Sequence, residues 1–315
     1  MIEVVQVSEI KEFENWINLI SDLTAISFDR RISAELLRWQ YANNPASSDV
    51  YFALAIADGE IAASYSVSPR TLCRGGQTLT CACSMTTMTH PNYRGRGLFP
   101  LLAKAMYDRL AKDGRELVYG FPNSRINHTR IRRLEWNPVI DLATFSAPLR
   151  TAHRDCASRF AKVSRLPKNA EITLLPDTRW AIERNASYLR WRYEAHPENT
   201  YEFVIPVNED RITEFAVIKP YGRDSLDIVE FHAEGADSAV ELLDAISTAG
   251  ISMERATANM WIPFSHPLRG DLERWGFSAG APVYHFGLRH TRRSELQHYD
   301  LARQWNIHMG DSDVF

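Results

Sequence analysis

The sequence reads as an α/β chain built from two tandem copies of one unit, and three observations predict it. Leu37-Arg38-Trp39-Gln40-Tyr41-Ala42-Asn43-Asn44-Pro45 recurs as Leu189-Arg190-Trp191-Arg192-Tyr193-Glu194-Ala195-His196-Pro197, with Trp39 and Trp191 152 residues apart in a chain of 315. Arg133-Leu134-Glu135-Trp136 returns in the same order as Arg274-Trp275-Gly276-Phe277, at an offset of 141. Both copies also carry the same succession of signals: a helix stopped at a proline, because the residue before Pro disfavours the α region, then a strand, Val50 to Ala57 or Tyr201 to Val207.

Composition bounds the chemistry. Hydrophobic residues make up 45% of the chain, enough for full cores. The net charge of −3, from 36 basic and 39 acidic residues, gives no general attraction to nucleic acid or an anionic membrane. No apolar run approaches the roughly 20 residues that span a bilayer. Met1-Ile2-Glu3-Val4-Val5 lacks the basic start and apolar stretch of a signal peptide. Cys73, Cys81, Cys83 and Cys156 form no C-x-x-C pair and no Cys/His ligand spacing. They are read as reduced thiols of a cytoplasmic protein, and no metal cluster is expected.

Within the first copy, Met85 to Thr89 is an extended segment, Arg94-Gly95-Arg96-Gly97 a tight basic turn, and Leu98 to about Lys112 a helix. That order places unpaired backbone N–H groups at a helix N-terminus, where an anion can be held. Gly95 and Gly97 can adopt positive φ and let a phosphate approach the backbone, and Arg94 and Arg96 add charge of the matching sign. The Walker pattern is excluded, since no Gly-Lys-Ser/Thr follows, and the Rossmann fingerprint lacks its third glycine. Glu116 to Asn123 reads as the next strand, leading into a helix from Ser124 to Leu134 with Asn123 or Ser124 as its cap. Arg125, Arg130, Arg132 and Arg133 make that helix basic, and at least two of them are read as a solvated face. Hairpins are expected at Val139 to Leu149 and, in the second copy, Pro282 to Leu288. The polar stretch from Arg150 to about Ala170 marks the boundary, giving a first domain over 1–150, a second over 165–290 and a tail over 291–315. The tail reads as a helix from Ser294 to Trp305, whose Leu296, Tyr299 and Trp305 suit packing on a domain or a homodimer partner. In the second copy Phe231 to Ser238 replaces the glycine turn, and Glu234 and Asp237 there would repel phosphate.

Thr89-His90-Pro91-Asn92-Tyr93-Arg94-Gly95-Arg96-Gly97-Leu98-Phe99 resembles the acyl-CoA-binding motif of the GNAT superfamily of N-acyltransferases. The resemblance implies two GNAT-like units, each a mixed, mostly antiparallel twisted sheet flanked by helices, the second degenerate. It implies an acetyl-CoA or other short acyl-CoA co-substrate. The pantetheine arm would lie along Met85, Thr86, Thr87, Met88 and Thr89, and the pyrophosphate on Arg94, Gly95, Arg96, Gly97, Leu98 and Phe99. Asn123 would contact CoA or serve only as a cap. Many members carry a tyrosine acid four residues before the glycine of a Leu-Gly-Phe end; here Leu134-Glu135-Trp136 takes that end and Ile131 stands in the tyrosine's place.

Thioester aminolysis needs a proton acceptor for the amine, a donor for the oxyanion and, usefully, a proton for the thiolate. The backbone N–H of Met88 suits the oxyanion. His128 is the first candidate base because its ordinary pKa lies near neutrality; Asp29 and Tyr65 follow, and Asn127 or His128 would substitute for the missing acid. His90 is read as structural. The acceptor is a small-molecule primary amine. Tandem layout and the Gly120-Phe121-Pro122-Asn123 strand end resemble bacterial enzymes that acylate nucleotide-linked amino sugars with acetyl or a short hydroxyacyl group. The alternatives are acylation of an antibiotic, amino acid or polyamine, which a cluster of Asp22, Asp29 and Glu35 would favour, and a non-catalytic acyl-CoA sensor.

Overall fold

The computed structural model describes residues 2–151, 159–174, 179–292 and 304–315. The chain forms two compact units.

The first unit holds residues 1–72, 78–140 and 285–299. It begins with β1 (Ile2–Val7) and α1 (Ile10–Phe28), followed by α2 (Ala34–Leu37), β2 (Tyr51–Ala57), β3 (Glu60–Arg74) and β4 (Gln77–Thr89). Then come α3 (Leu98–Lys112), β5 (Leu117–Gly120), α4 (Ser124–Leu134) and the start of β6 (Asn137–Pro148). Strands run in the order β1-β2-β3-β4-β5. β1/β2 and β2/β3 are antiparallel, whereas β4 and β5 are parallel over Cys81↔Leu117 to Cys83↔Tyr119. Parallel neighbours need a crossover, and α3 supplies it. Its buried positions Leu98, Leu102, Ala103, Met106, Tyr107 and Leu110 recur at helical spacing and pack with Ala53, Tyr65, Ala82 and Val118 of the sheet. α1 buries Phe13, Ile17 and Ile20, and Phe13 stacks on Phe52 at 5.1 Å.

The second unit holds residues 73–77, 141–284 and 300–315. Its elements are β7 (Phe160–Val163), β8 (Glu171–Ile172), β9 (Ala181–Ile182), α5 (Ala186–Leu189), β10 (Glu202–Pro206), β11 (Arg211–Ile212), β12 (Phe215–Tyr221) and β13 (Ser225–His232). They continue with α6 (Ala236–Ser252), β14 (Thr257–Trp261), α7 (Arg269–Trp275) and β15 (Ser278–His290). The order β6-β14-β13-β12-β10-β7 again contains one parallel pair, β13/β14, bridged by the helix α6, in an otherwise antiparallel sheet. β8 and β11 form a separate parallel ladder.

The duplication is visible in detail. In each copy the short helix at the repeated motif widens into a turn closed by an i→i+5 bond: Asn43 N–H donates to Arg38 C=O and Ala195 N–H to Arg190 C=O, both at 2.9 Å. The second pair of repeats marks equivalent helix ends, with Glu135 (φ 57°) and Gly276 (φ 127°) both at positive φ.

Two expectations need correction. The stretches read as hairpins are single long strands, β6 and β15. The short turns expected inside them do not form because both chains continue extended. β6 starts in the first unit and ends in the second, while β15 starts in the second and ends in the first, where Gly287–His290 pairs antiparallel with Gly120–Leu117. For the same reason the units are not the contiguous spans 1–150 and 165–290: residues 141–150 group with the second unit and 285–290 with the first. The helix expected over Ser294 to Trp305 lies mostly outside the described residues. Trp305 itself is buried and bridged to Trp180. No helix among the described residues is long and apolar enough to cross a membrane.

The second unit encloses an ion network that ties the segment 304–315 to β13. Arg184 reaches Glu230 at 2.9 Å and Asp311 at 2.5 Å, with all three side chains almost fully buried. Tyr193 donates to Glu230 at 2.5 Å, and Asp311 accepts the His308 N–H at 2.8 Å. Burial alone would raise the Glu230 carboxyl, but the Arg184 guanidinium and the His232 hydrogen bond hold it well below its ordinary value. Burial holds the His308 imidazole well below its ordinary value, with His232, Arg184 and His266 acting the same way and Glu230 opposing them. Burial, then Arg192 and Lys219, lower His196 to about 3.

Arg184→Met should therefore cost about 3–5 kcal/mol, because two buried carboxylates lose their counter-ion; urea unfolding measures it. The folded unit keeps His308 neutral while the unfolded chain protonates it near pH 6.5, so stability falls as pH drops below that value. Between pH 7 and 5.5 the loss from His308 is about 1 kcal/mol. The pH slope should flatten in His308→Gln.

Candidate functional site

The first unit assembles two adjoining features at the C-terminal end of its parallel strand pair. The first is the glycine turn. Gly95 and Gly97 both lie at positive φ, 77° and 74°, where any side chain would be strained although nothing crowds the space. Gly97 is the N-cap of α3 and offers no side-chain cap; the first turn of the helix carries no acidic residue. The N–H groups from Gly95 to Phe99 meet no backbone acceptor in the loop. Residues 94–97 are exposed, and Leu98 and Phe99 turn inward. Arg94 is steadied by the carbonyls of Thr89 (3.3 Å) and Ser27 (3.4 Å), and Arg96 by that of Asn92 (3.3 Å) and the Tyr93 ring at 5.0 Å. Among the described residues no carboxylate forms an ion pair with either arginine. His90 accepts the Asn92 N–H and stiffens the turn, the structural part expected of it.

The second feature is a fork. Pairing of β4 with β5 ends at Cys83↔Tyr119; β5 stops at Gly120, whereas β4 continues to Thr89. Ser84 to Thr89 thus offers an open backbone edge about 16 Å long, at roughly 3.3 Å per residue. Along it Met85 and Met88 are buried and Thr86, Thr87 and Thr89 half-buried. At the mouth of the fork Gly120 is required by close approach: a Cβ there would lie 3.1 Å from Arg130 Nη1 and 3.2 Å from the Ser84 Cβ.

Arg125, Arg132 and Arg133 are exposed, as a solvated face requires, and Arg130 is the exception. It is only 3% exposed and does not belong to a solvated face. The signal was present, since Ile126, Arg130 and Leu134 share one face of α4 at i, i+4, i+8 spacing. Arg130 Nη2 donates to Ser84 Oγ at 2.6 Å, and its guanidinium covers the Trp136 ring at 4.2 Å. Ser84 Oγ also meets Tyr65 OH at 2.9 Å; Tyr65 OH lies 3.4 Å from Tyr107 OH, which accepts from Trp136 Nε1 at 2.9 Å. Burial holds the Tyr107 phenol well above its ordinary value.

The expected base candidates are dispersed. Tyr65 is fully buried inside this network. His128 is exposed on α4 and Asn127 half-buried beside it. Asp29 is the exposed left-handed cap of α1, its N–H bonded to Ala25 C=O at 3.0 Å. Asn123 caps α4 through Oδ1, which accepts the Ile126 N–H at 3.0 Å, so only its amide nitrogen stays available to a ligand. Ile131 is exposed. His285, which the sequence did not single out, lies 3.0 Å from Ser124 Oγ at the start of α4.

The second unit gathers Glu230, His232 and His308 within 4.8 Å, a grouping hidden from sequence because His308 is 76 residues beyond His232. Glu230 is already engaged by Arg184, Tyr193 and His232.

Residues 6–139 match the family described as "Acetyltransferase (GNAT) domain". No curated protein matches the chain by sequence. Among solved structures, a probable N-acyltransferase of Enterococcus faecalis V583 superposes with a TM-score of 0.67 at 13% identity, over 92% of this chain and 73% of the other. A GCN5-related N-acetyltransferase of Anabaena variabilis gives 0.64 at 12% identity, over 93% and 73%. A tandem GNAT protein from the clavulanic acid biosynthesis pathway gives 0.56 at 12% identity, over 94% and 100%. The match over residues 6–139 is to a GNAT acetyltransferase domain, and the chain is an acyltransferase; the co-substrate of such a domain is an acyl-CoA.

Substitution at the turn tests its role without touching the core. Gly97→Ala should weaken CoA binding through about 1–2 kcal/mol of left-handed strain, and Gly97→Glu should abolish it by adding negative charge. Isothermal calorimetry with CoA measures both, with unchanged circular dichroism as the control for folding.

Proposed function

We propose that the protein transfers an acetyl or short hydroxyacyl group from its CoA thioester to the primary amine of a nucleotide-linked amino sugar. The observation that carries the CoA half of this reading is the Arg94–Gly97 turn. It is a helix N-terminus without a side-chain cap, with two left-handed glycines and two arginines that pair with no carboxylate among the described residues, a combination suited to a pyrophosphate. The open edge of β4 suits an extended arm that carries amides, since its N–H and C=O groups face no second strand.

In the reaction the amine nitrogen attacks the thioester carbonyl carbon, the C–S bond breaks with its electron pair on sulfur, and the nitrogen releases one proton. His128, Asp29, Tyr65 and Asn127 stay the candidates for handling that proton, and the Met88 N–H for the oxyanion.

For the acceptor, the α1–α2 region speaks against a polycation. Asp22 is paired with Arg31 at 2.6 Å, and Asp29 is followed directly by Arg30 and Arg31, so basic side chains offset acidic ones there. An acceptor that itself carries phosphate is better matched to such a surface.

The test is thiol release from acetyl-CoA and 3-hydroxybutyryl-CoA against nucleotide-linked amino sugars, aminoglycosides, amino acids and polyamines. Release dependent on an amino-sugar nucleotide, and absent in Gly97→Glu, is expected. Turnover confined to polyamines or aminoglycosides would overturn the acceptor assignment while leaving the acyl-CoA reading intact.

A further inference from the structure

We propose that the second unit binds one zinc ion through Glu230, His232 and His308, as a staple between β13 and the segment 304–315. The inference does not rest on the acyl-CoA reading, since all three side chains belong to the second unit.

The donors come from two places that spacing along the chain does not connect. Glu230 and His232 stand at i, i+2 on β13, so both point to one face of the strand. His308 arrives from the segment 304–315 and lays its ring against that of His232, with centroids 4.5 Å apart. One donor atom of each residue lies within 4.8 Å of the other two, and His232 Nε2 meets Glu230 Oε2 at 3.0 Å. Ligands of a tetrahedral zinc, each about 2.0–2.2 Å from the metal, stand roughly 3.3 Å from one another. The widest gap that the cluster allows therefore has to close by about 1.5 Å to hold an ion.

The observation that calls for an ion is His308 Nε2. His308 is only 5% exposed, and this nitrogen is buried without a hydrogen-bond partner although a carboxylate and a second imidazole stand beside it. A buried polar atom left unpaired is costly, and one cation between the three groups satisfies it together with the other two. Glu230 is already set as a ligand. Its Oε1 takes Arg184 and Tyr193, which fixes the carboxylate and leaves Oε2 turned to the histidines. Support of this kind from behind is what orients a metal-bound carboxylate. Asp311 accepts the His308 backbone N–H at 2.8 Å and brings a second negative charge, so Glu230 and Asp311 outweigh Arg184 by one charge. Two imidazoles and one carboxylate form a nitrogen–oxygen set that suits zinc, whereas calcium and magnesium take oxygen alone. The ion need not pass through the closed fold, because metal binding of this kind is coupled to folding: it is taken up as the segment 304–315 closes on β13, with His232 still 9% exposed at the edge of the cluster.

The experiment treats the full chain with EDTA, unfolds it in urea and refolds it with Zn²⁺, or with Co²⁺ as a visible stand-in, in the wild type, His308→Gln and His196→Gln. The wild type should retain one equivalent of Zn²⁺ after gel filtration, and its Co²⁺ form should show the ligand-field absorption of a four-coordinate nitrogen–oxygen site. His308→Gln should lose that absorption and the retained zinc. His196→Gln changes a histidine of the same unit outside the cluster and should keep both. With free Zn²⁺ about a hundredfold above its Kd, the unfolding equilibrium constant of the wild type should fall about a hundredfold, and that of His308→Gln should not move. A wild type that retains no zinc overturns the assignment, as does an equal Co²⁺ spectrum in His308→Gln. Should His308→Gln fail to fold, zinc-edge X-ray absorption of the wild type takes its place: two imidazoles in the first shell are expected, and fewer than two overturn the proposal.

Discussion

The parallel pairing of β4 with β5 lasts three residues, and the site depends on where it stops. Parallel neighbours cannot be joined by a tight turn, so the chain must cross over, and α3 is that crossover. A crossover helix begins where the first strand ends, which puts the uncapped N-terminus of α3 at the same end of the sheet as the fork. Gly120 and Ser84 then part around Arg130, and the edge of β4 between fork and turn is left without a partner. Anion turn, open edge and buried cation follow from one topological choice.

The second unit shows that the topology alone does not make a site. It repeats the parallel pair and its crossover as β13, α6 and β14. At the start of α6, however, Ser238 Oγ accepts the Gly235 N–H at 3.1 Å, Glu214 accepts the Glu234 N–H at 2.8 Å, and Asp237 adds negative charge. Two of the donors at this turn are thus answered from within the protein. Its last parallel rung, Asp227↔Asn259, is closed by a side-chain bond of 3.1 Å, and its buried charges bind the segment 304–315. The duplicated unit keeps the scaffold, but at the start of α6 it does not repeat the two left-handed glycines and two arginines of the first.

What was legible in the sequence is what is local. The turn at 94–97 and the span of α3, Leu98–Lys112, follow from glycine conformation and apolar periodicity within twenty residues, and the repeats at Trp39 and Trp191 marked two equivalent helix ends. Long-range arrangement was not legible. β6 and β15 look like hairpins because each is long and interrupted by polar residues, and only their partners show that each is one strand. Arg130 looked like one more charge on a basic helix; its face is set by Leu134 and Trp136, and its meaning by Gly120, ten residues earlier on another element. Glu230, His232 and His308 meet only after the chain has returned from its far end.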